Sequence, residues 1–400
     1  MTHFLDNKNV HYLLGGEIEA TRLFVPYDNL LCDFLNDLSS QLRKSEDAGG
    51  YPDVLTFAFW CRRANIARLK EEYSSSHARL GLGTVFHITP SNVPVNFAFS
   101  FCFGLLSGNA NIVRVPTKAF PQVDIICTAI AKVFENNDYQ EIKIRTAFIR
   151  YEQNEEITRL LSIDCNARII WGGDETVNSV RQLPIAPRSV EVVFADRYSF
   201  CVIDAISVNS LEESDLNRLA EGFYNDTYLM DQNACSSPHL LIWLGKESLT
   251  AKDRFWKALS EVVVEKQYRM THAVAADKYV QLCNDAMELD NLHAVKAYGN
   301  FLYCITINEL PSNIDEFRGS CGYFYEYETE DLKGLSHIVN NSFQTLTYFG
   351  TDREYLLDFV VDNGLSGIDR IVPVGQALDI GVIWDGYDIV KNLSRIIDLQ

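Results

Sequence analysis

An excess of positive charge, paired metal-ligand spacings and membrane-length apolar runs are all missing from this sequence of 400 residues. Lysine and arginine number 35 against 54 aspartates and glutamates, a net charge of −19 with histidine neutral. Nucleic acid and anionic lipid both need cationic patches, so an acidic surface repels them. An anionic cofactor would need a local basic pocket. The most apolar stretch, Val93 to Leu106, is broken by Asn96, Ser100 and Gly104. It falls short of the roughly 20 residues a bilayer requires, so no membrane span is expected. The opening residues Met1 to Asp6 have neither the basic start nor the apolar block of a signal peptide, and a cytoplasmic protein is expected.

The ten cysteines stand singly and none has CxxC spacing, which removes zinc-ribbon and thioredoxin-type chemistry. The eight histidines are dispersed without HExxH, so no metal site is expected. There is no GxSxG elbow and no Walker loop. Internal repeats and low-complexity tracts are also absent. In a reducing cytosol, lone cysteines are mostly small buried hydrophobes.

What is present is ordinary globular material, 47% hydrophobic and 22% charged, enough for two or three domains. Residues 1–80 read as a mostly helical opening, with helices over 30–42 and 54–69. From Gly83 the pattern alternates: strand 83–88, a two-proline turn Thr89 to Pro94, a buried helix 95–107 and strand 111–115. Helix 121–135, strand 141–148, helix 154–161 and strand 167–171 follow. Repeated βαβ units imply a doubly covered parallel sheet, with nucleotide binding at the carboxyl ends of its strands. The second half alternates too, with strands at 199–204 and 238–244 and helices at 211–224 and 249–264. Boundaries are expected near residues 205 and 366, giving domains 1–205, 206–365 and 366–400.

Three places carry chemistry. Cys235 lies among small polar residues between a helix and a strand, where backbone amides lower a thiol pKa and stabilise an oxyanion. A buried structural cysteine is the competing reading. Asn92, stiffened between Pro90 and Pro94, is either an oxyanion donor or an Asx-turn residue. Gly172-Gly173-Asp174-Glu175 follows an apolar strand and precedes a helix; it is either an ordinary βα turn or a place where small residues let a phosphate reach helix-terminal amides. Its two carboxylates argue against a densely anionic ligand directly on the turn.

Together these pieces resemble the aldehyde dehydrogenase superfamily, and within it the LuxC-type acyl-CoA reductases. Thr89 to Pro94 resembles the superfamily's proline-flanked Asn turn, and Gly108 to Thr117 its nucleotide strand. Trp171 to Val177 matches the cofactor turn, and Asp231 to Pro238 the cysteine motif. Gln344 to Gly350, Gly367 to Pro373 and Trp384 to Asp388 resemble LuxC further along. The resemblance implies an α/β fold with a Rossmann-type cofactor domain, a second α/β catalytic domain and a small C-terminal oligomerisation segment, hence a homo-oligomer. It casts Cys235 as nucleophile and Asn92 with the Cys235 amide as oxyanion hole. Thr89, Pro90, Arg114, Thr117, Gly172, Gly173 and Asp174 would then lie at the cofactor, which it implies is NADPH. Glu326, or alternatively Glu328, would hold the nicotinamide ribose. Phe194 stands where hydrolytic members of the superfamily carry a water-activating Glu, so an acyl-enzyme should await hydride rather than hydrolyse. The implied reaction is reduction of a fatty acyl thioester, from acyl-CoA or delivered by an acyl-protein synthetase partner. Oxidation of an aldehyde and a silent acyl-carrying or scaffold subunit are the rival readings.

Overall fold

The computed structural model describes residues 9–18, 22–73, 75–91, 93–246 and 248–399. The chain divides into two compact units, Met1–Ala195 with Gly381–Gln400, and Asp196–Ile380.

The first unit is built on six strands: β1 (His11–Leu14), β2 (Thr84–Ile88), β3 (Ala110–Arg114), β4 (Thr146–Arg150), β5 (Ala167–Trp171) and β6 (Val190–Phe194). Their order is β1-β4-β3-β2-β5-β6. Five strands are parallel, and only β1 runs antiparallel, against β4. Every residue of β2 and β5 is buried, as unbroken apolar runs of doubly covered parallel strands require. The helix expected over 95–107 is α1 (Asn96–Leu106), buried from Phe97 to Leu106. It stops at Gly108, whose φ is +87°; a Cβ there would meet the Phe24 carbonyl oxygen at 2.2 Å, so only glycine fits.

Under α1 a polar chain is fully satisfied. His87 meets Ser100 Oγ at 2.8 Å and Asn111 Oδ1 at 3.0 Å, and Trp171 Nε1 donates to Ser100 Oγ at 2.9 Å. Burial pushes the His87 imidazole down to about 4, so it stays neutral.

The structure departs from the pattern reading at 141–148. Gln140–Lys143 is a helical turn, and the strand begins at Thr146. Side chains close that turn on themselves: Arg145 Nε donates to Glu141 O at 2.6 Å and Thr146 Oγ1 to Ile142 O at 2.9 Å. The opening residues also hold strands, His11–Leu14 and Ala78–Gly81, around the helices.

The second unit holds β7 (Tyr198–Asp204), β8 (Pro238–Leu244), β9 (Leu292–Tyr298), β10 (Leu302–Ile307), β11 (Tyr323–Thr329), β12 (Phe343–Phe349) and β13 (Arg370–Pro373). Their order is β9-β10-β11-β8-β7-β12-β13. All neighbours are parallel except the edge pair β9 and β10. The division after Ala195 differs from the boundary expected near 205. β7 pairs with β8 and β12, so it belongs wholly to the second sheet. β13 stays there as well, and the return to the first unit begins at Gly381. There Ser394–Ile397 pairs antiparallel with Ala78–Gly81. Among the described residues no helix is long and apolar enough to cross a membrane, and no group of three metal-ligating side chains forms.

Candidate active site

Of the ten cysteines, seven are buried, Cys32 is half-buried, and Cys235 and Cys283 are exposed. Burial pushes the thiols of Cys127 and Cys165 up to about 12 and that of Cys32 to about 11. It also raises those of Cys102, Cys201 and Cys304. Such thiols do not ionise near neutrality and are poor nucleophiles. Cys235 is the exposed thiol that also lines a hollow, of about 240 Å³, together with Asp196, Arg197, Asn233, His239 and Arg318 among others.

The loop that presents Cys235 follows α2 (Glu213–Thr227). It opens with two left-handed residues, Asp231 at φ 50° and Gln232 at φ 63°. Non-glycine residues hold such angles when their surroundings over-determine them. Here the Gln232 amide is fully used. Its Nε2 donates to Pro238 O at 3.1 Å and Tyr323 O at 3.0 Å, and its Oε1 accepts from Gly322 N and Tyr323 N, both at 3.2 Å. Asp231 O accepts from Cys321 N at 3.0 Å. The cysteine loop is thereby tied to the start of β11. Ser199 Oγ donates to Cys235 O at 2.7 Å and itself accepts from Thr345 N at 3.1 Å. Ser237 Oγ donates to Asp226 O at 2.6 Å. The Asp226 carboxylate accepts from Gly375 N at 2.7 Å and Ala377 N at 2.8 Å, yet burial raises it to about 7.

His239 is buried and orients rather than reacts. Its Nδ1 donates to Gly319 O at 2.9 Å, its ring stacks on Tyr198, and burial with Arg318 holds it down to about 4. Arg318 and Asp196, which the motif reading missed, both line the hollow and bond to each other, Nη1 to Oδ1 at 2.8 Å. They lie far apart in sequence, so no local spacing announces them.

In the first unit, β2 lies between β3 and β5, with Ile88 opposite both Arg114 and Ile170. The carboxyl ends of three neighbouring strands therefore bring together Thr89 and Pro90, Arg114 and Thr117, and Gly172, Gly173 and Asp174. This is a topological switch point, where doubly wound sheets take nucleotides. Thr89 Oγ1 donates to Arg114 O at 2.7 Å, and the Arg114 guanidinium lies 4.4 Å from the Tyr151 ring centre. Gly173 caps the helix Asp174–Arg181, and a Cβ placed on it would meet nothing within 4 Å. Open space at a helix N-terminus fits a pyrophosphate; Asp174 and Glu175 in that first turn oppose close anionic contact. Asn92 lies outside the described residues.

Glu326 is corrected by its surroundings. It is 4% exposed, and four donors occupy its carboxylate. Lys252 Nζ (3.3 Å) and Thr306 Oγ1 (2.7 Å) bond Oε1; Trp243 Nε1 (3.1 Å) and Trp256 Nε1 (2.9 Å) bond Oε2. Nothing is left for a ribose. Glu328 is likewise bonded by Lys252 Nζ at 2.6 Å and by Ser248 Oγ. Phe194 is a core residue, 4% exposed and stacked on Trp171 with centroids 3.7 Å apart.

With this geometry in place, the comparisons are informative. The fold is that of the aldehyde dehydrogenases. A benzaldehyde dehydrogenase from Corynebacterium glutamicum superposes with a TM-score of 0.60 at 11% identity, over 96% of each chain. Aldehyde dehydrogenase 21 from Physcomitrella patens gives 0.62 at 12%, over 92% of this chain and 85% of that one. Thermus 1-pyrroline-5-carboxylate dehydrogenase with bound NAD gives 0.61 at 12%, over 98% and 90%. Within that fold, residues 26–293 match the family model for acyl-CoA reductase (LuxC), and the chain belongs to that family. Two relatives are long-chain acyl-protein thioester reductases. That of Photorhabdus laumondii is 19% identical over 79% of this chain and 62% of its own length. That of Vibrio harveyi is 27% identical over 79% and 63%. The chain thus spans about three fifths of the length of these relatives.

Proposed function

We propose that this chain reduces a fatty acyl thioester to the aldehyde by way of an acyl group carried on Cys235. The single observation behind this reading is an exposed thiol, in a chain whose other cysteines are mostly buried, on a stapled loop lining a polar hollow. Family membership supports it, as do the names of the two relatives, which make an acyl-protein as natural a donor as acyl-CoA.

The Cys235 thiolate attacks the thioester carbonyl, the bond to the donor sulfur breaks, and the donor thiol leaves. The loop's backbone fixes the sulfur before the acyl group arrives, so little ordering cost falls on the reaction. The resemblance adds Asn92 as a donor to the oxyanion; Asn92→Ala should then slow acylation. A bound nicotinamide, NADPH on the resemblance, would supply the hydride. The residues that would hold it are those at the carboxyl ends of β2, β3 and β5. Phe194, which the resemblance sets where hydrolytic members carry a water-activating Glu, is itself no base.

Intact-protein mass spectrometry with a panel of acyl-CoAs tests this, with and without NADPH, on the native chain and Cys235→Ala. An acyl adduct on the native chain alone, discharged as aldehyde by NADPH, is the expected result. Absence of any adduct, with acyl-CoA or an acyl-protein donor, overturns the reading.

A further inference from the structure

We propose that Asp196 is a latent general base for thioester hydrolysis and that Arg318 masks it, so that the chain carries a suppressed thioesterase activity at Cys235. This rests on the acyl-cysteine reading above. Loss of a Glu at the Phe194 position does not by itself protect an acyl-enzyme, because Asp196 lines the same hollow as Cys235. The Asp196 side chain is 55% exposed. The hollow of about 240 Å³ has room for several waters at about 30 Å³ each. A carboxylate, water and a thioester in one hollow are the ingredients of general-base hydrolysis.

Arg318 removes the carboxylate from play. Its Nη1 holds Asp196 Oδ1 at 2.8 Å. It cannot easily swing away: its Nε donates to Asp315 O at 3.0 Å, and the guanidinium lies 5.9 Å from the Tyr198 ring centre. To take a proton from water at Oδ1, Asp196 would have to give up its charge-assisted hydrogen bond from Arg318. His239 does not replace it, because that ring is 6% exposed and pinned to Gly319 O. In the suppressed reaction the water oxygen bonds to the thioester carbonyl carbon and its proton passes to the Asp196 carboxylate. The carbon–sulfur bond then breaks, Cys235 leaves as thiolate, and the fatty acid is released. No electrons change hands.

The test follows the lifetime of acyl-Cys235 by intact mass after loading from acyl-CoA, with no nicotinamide present. It compares the native chain, R318Q, D196N and the double variant D196N/R318Q. R318Q should shorten the lifetime at least about a hundredfold, the low end of what a positioned base contributes, with free fatty acid as product. The double variant should restore the native lifetime. R318M, which keeps an unbranched side chain without the guanidinium, carries the same expectation should R318Q fail to fold. Iodoacetamide labelling of Cys235 confirms that the nucleophile is intact in each variant. If the native chain gains no acyl mass that Cys235→Ala lacks, the reductase reading falls. If it does gain that mass, two results overturn the masking alone: an unchanged lifetime in R318Q and R318M, or a shortened one that persists in the double variant.

Discussion

Both units build a mostly parallel sheet with one antiparallel edge strand, yet they prepare their functional residues in opposite ways. In the first, the residues at the carboxyl ends of β2, β3 and β5 are mostly turn backbone, with open space over Gly173. In the second, the cysteine loop is fastened by side chains: the Gln232 amide makes four bonds, and Ser199 and Ser237 add one each to backbone carbonyls. The difference matches the two tasks proposed above for these residues. A dissociable cofactor is served by accessible backbone and a helix terminus. A covalent nucleophile is attacked from and returned to one position, so rigidity there is repaid at every turnover.

The comparison breaks most sharply at Glu326. If its carboxylate is a core element, Glu326→Ala leaves two buried indole N–H groups and the Thr306 hydroxyl without their acceptor and Lys252 with Glu328 alone, costing about 4 kcal/mol of stability. Urea unfolding should show it, with cofactor affinity unchanged in what remains folded. A variant of native stability with weakened NADPH binding would return Glu326 to the ribose role. Next comes Gln232→Ala, which removes four hydrogen bonds in a residue 1% exposed, for about 3 kcal/mol. Its acylation rate by mass spectrometry should fall by more than its iodoacetamide reactivity. Equal losses in both would mean that the loop merely unfolds.

pH separates the units at a smaller scale. His87 is held neutral at about 4 against an unfolded value near 6.5. The unfolded chain therefore binds the proton first, and stability is lost as pH falls from about 6.5 toward 4, by on the order of 3 kcal/mol. His239 does the same in the second unit. There Asp226, raised to about 7, acts in reverse: the folded state binds its proton first, so its contribution is largest in acid and is lost as pH rises through about 7. Hydrogen exchange at pH 5 and 7.5 should show the first unit losing more protection in acid, and Asp226→Asn should remove the second unit's advantage. The mildest test is Gly173→Ala. With nothing near its Cβ it should cost under about 1 kcal/mol, while NADPH titration shows weaker binding if a phosphate uses that turn.

Local pattern made some of this legible. The helix Asn96–Leu106, apolar all round, and the fully buried β2 and β5 announce a covered parallel sheet. Small polar residues around Cys235 mark a loop that presents rather than buries. What the sequence hides is assembled across distance. Lys252 and Trp256 from one helix, and Trp243 and Thr306 from two strands, converge to fill Glu326, and 122 positions separate Asp196 from Arg318. The helical turn at Gln140–Lys143 was hidden for a different reason: its alternating Glu-Ile-Lys-Ile reads as a strand until Arg145 and Thr146 bond back onto it.

The pairing of Ser394–Ile397 with Ala78–Gly81 has a bearing on biosynthesis. Arg79 Nε reaches Ser394 Oγ at 2.8 Å, and Asn109 Nδ2 reaches Leu393 O at 2.9 Å. As the chain emerges from the ribosome, residues 196–380 come out complete while the unit that began first still awaits its last strand. Domains fold as units during synthesis, so the second unit can finish while the first waits for residues 381–400. Nascent chains stalled before Gly381 should therefore present a formed cysteine loop on a protein whose other half is still open to chaperones.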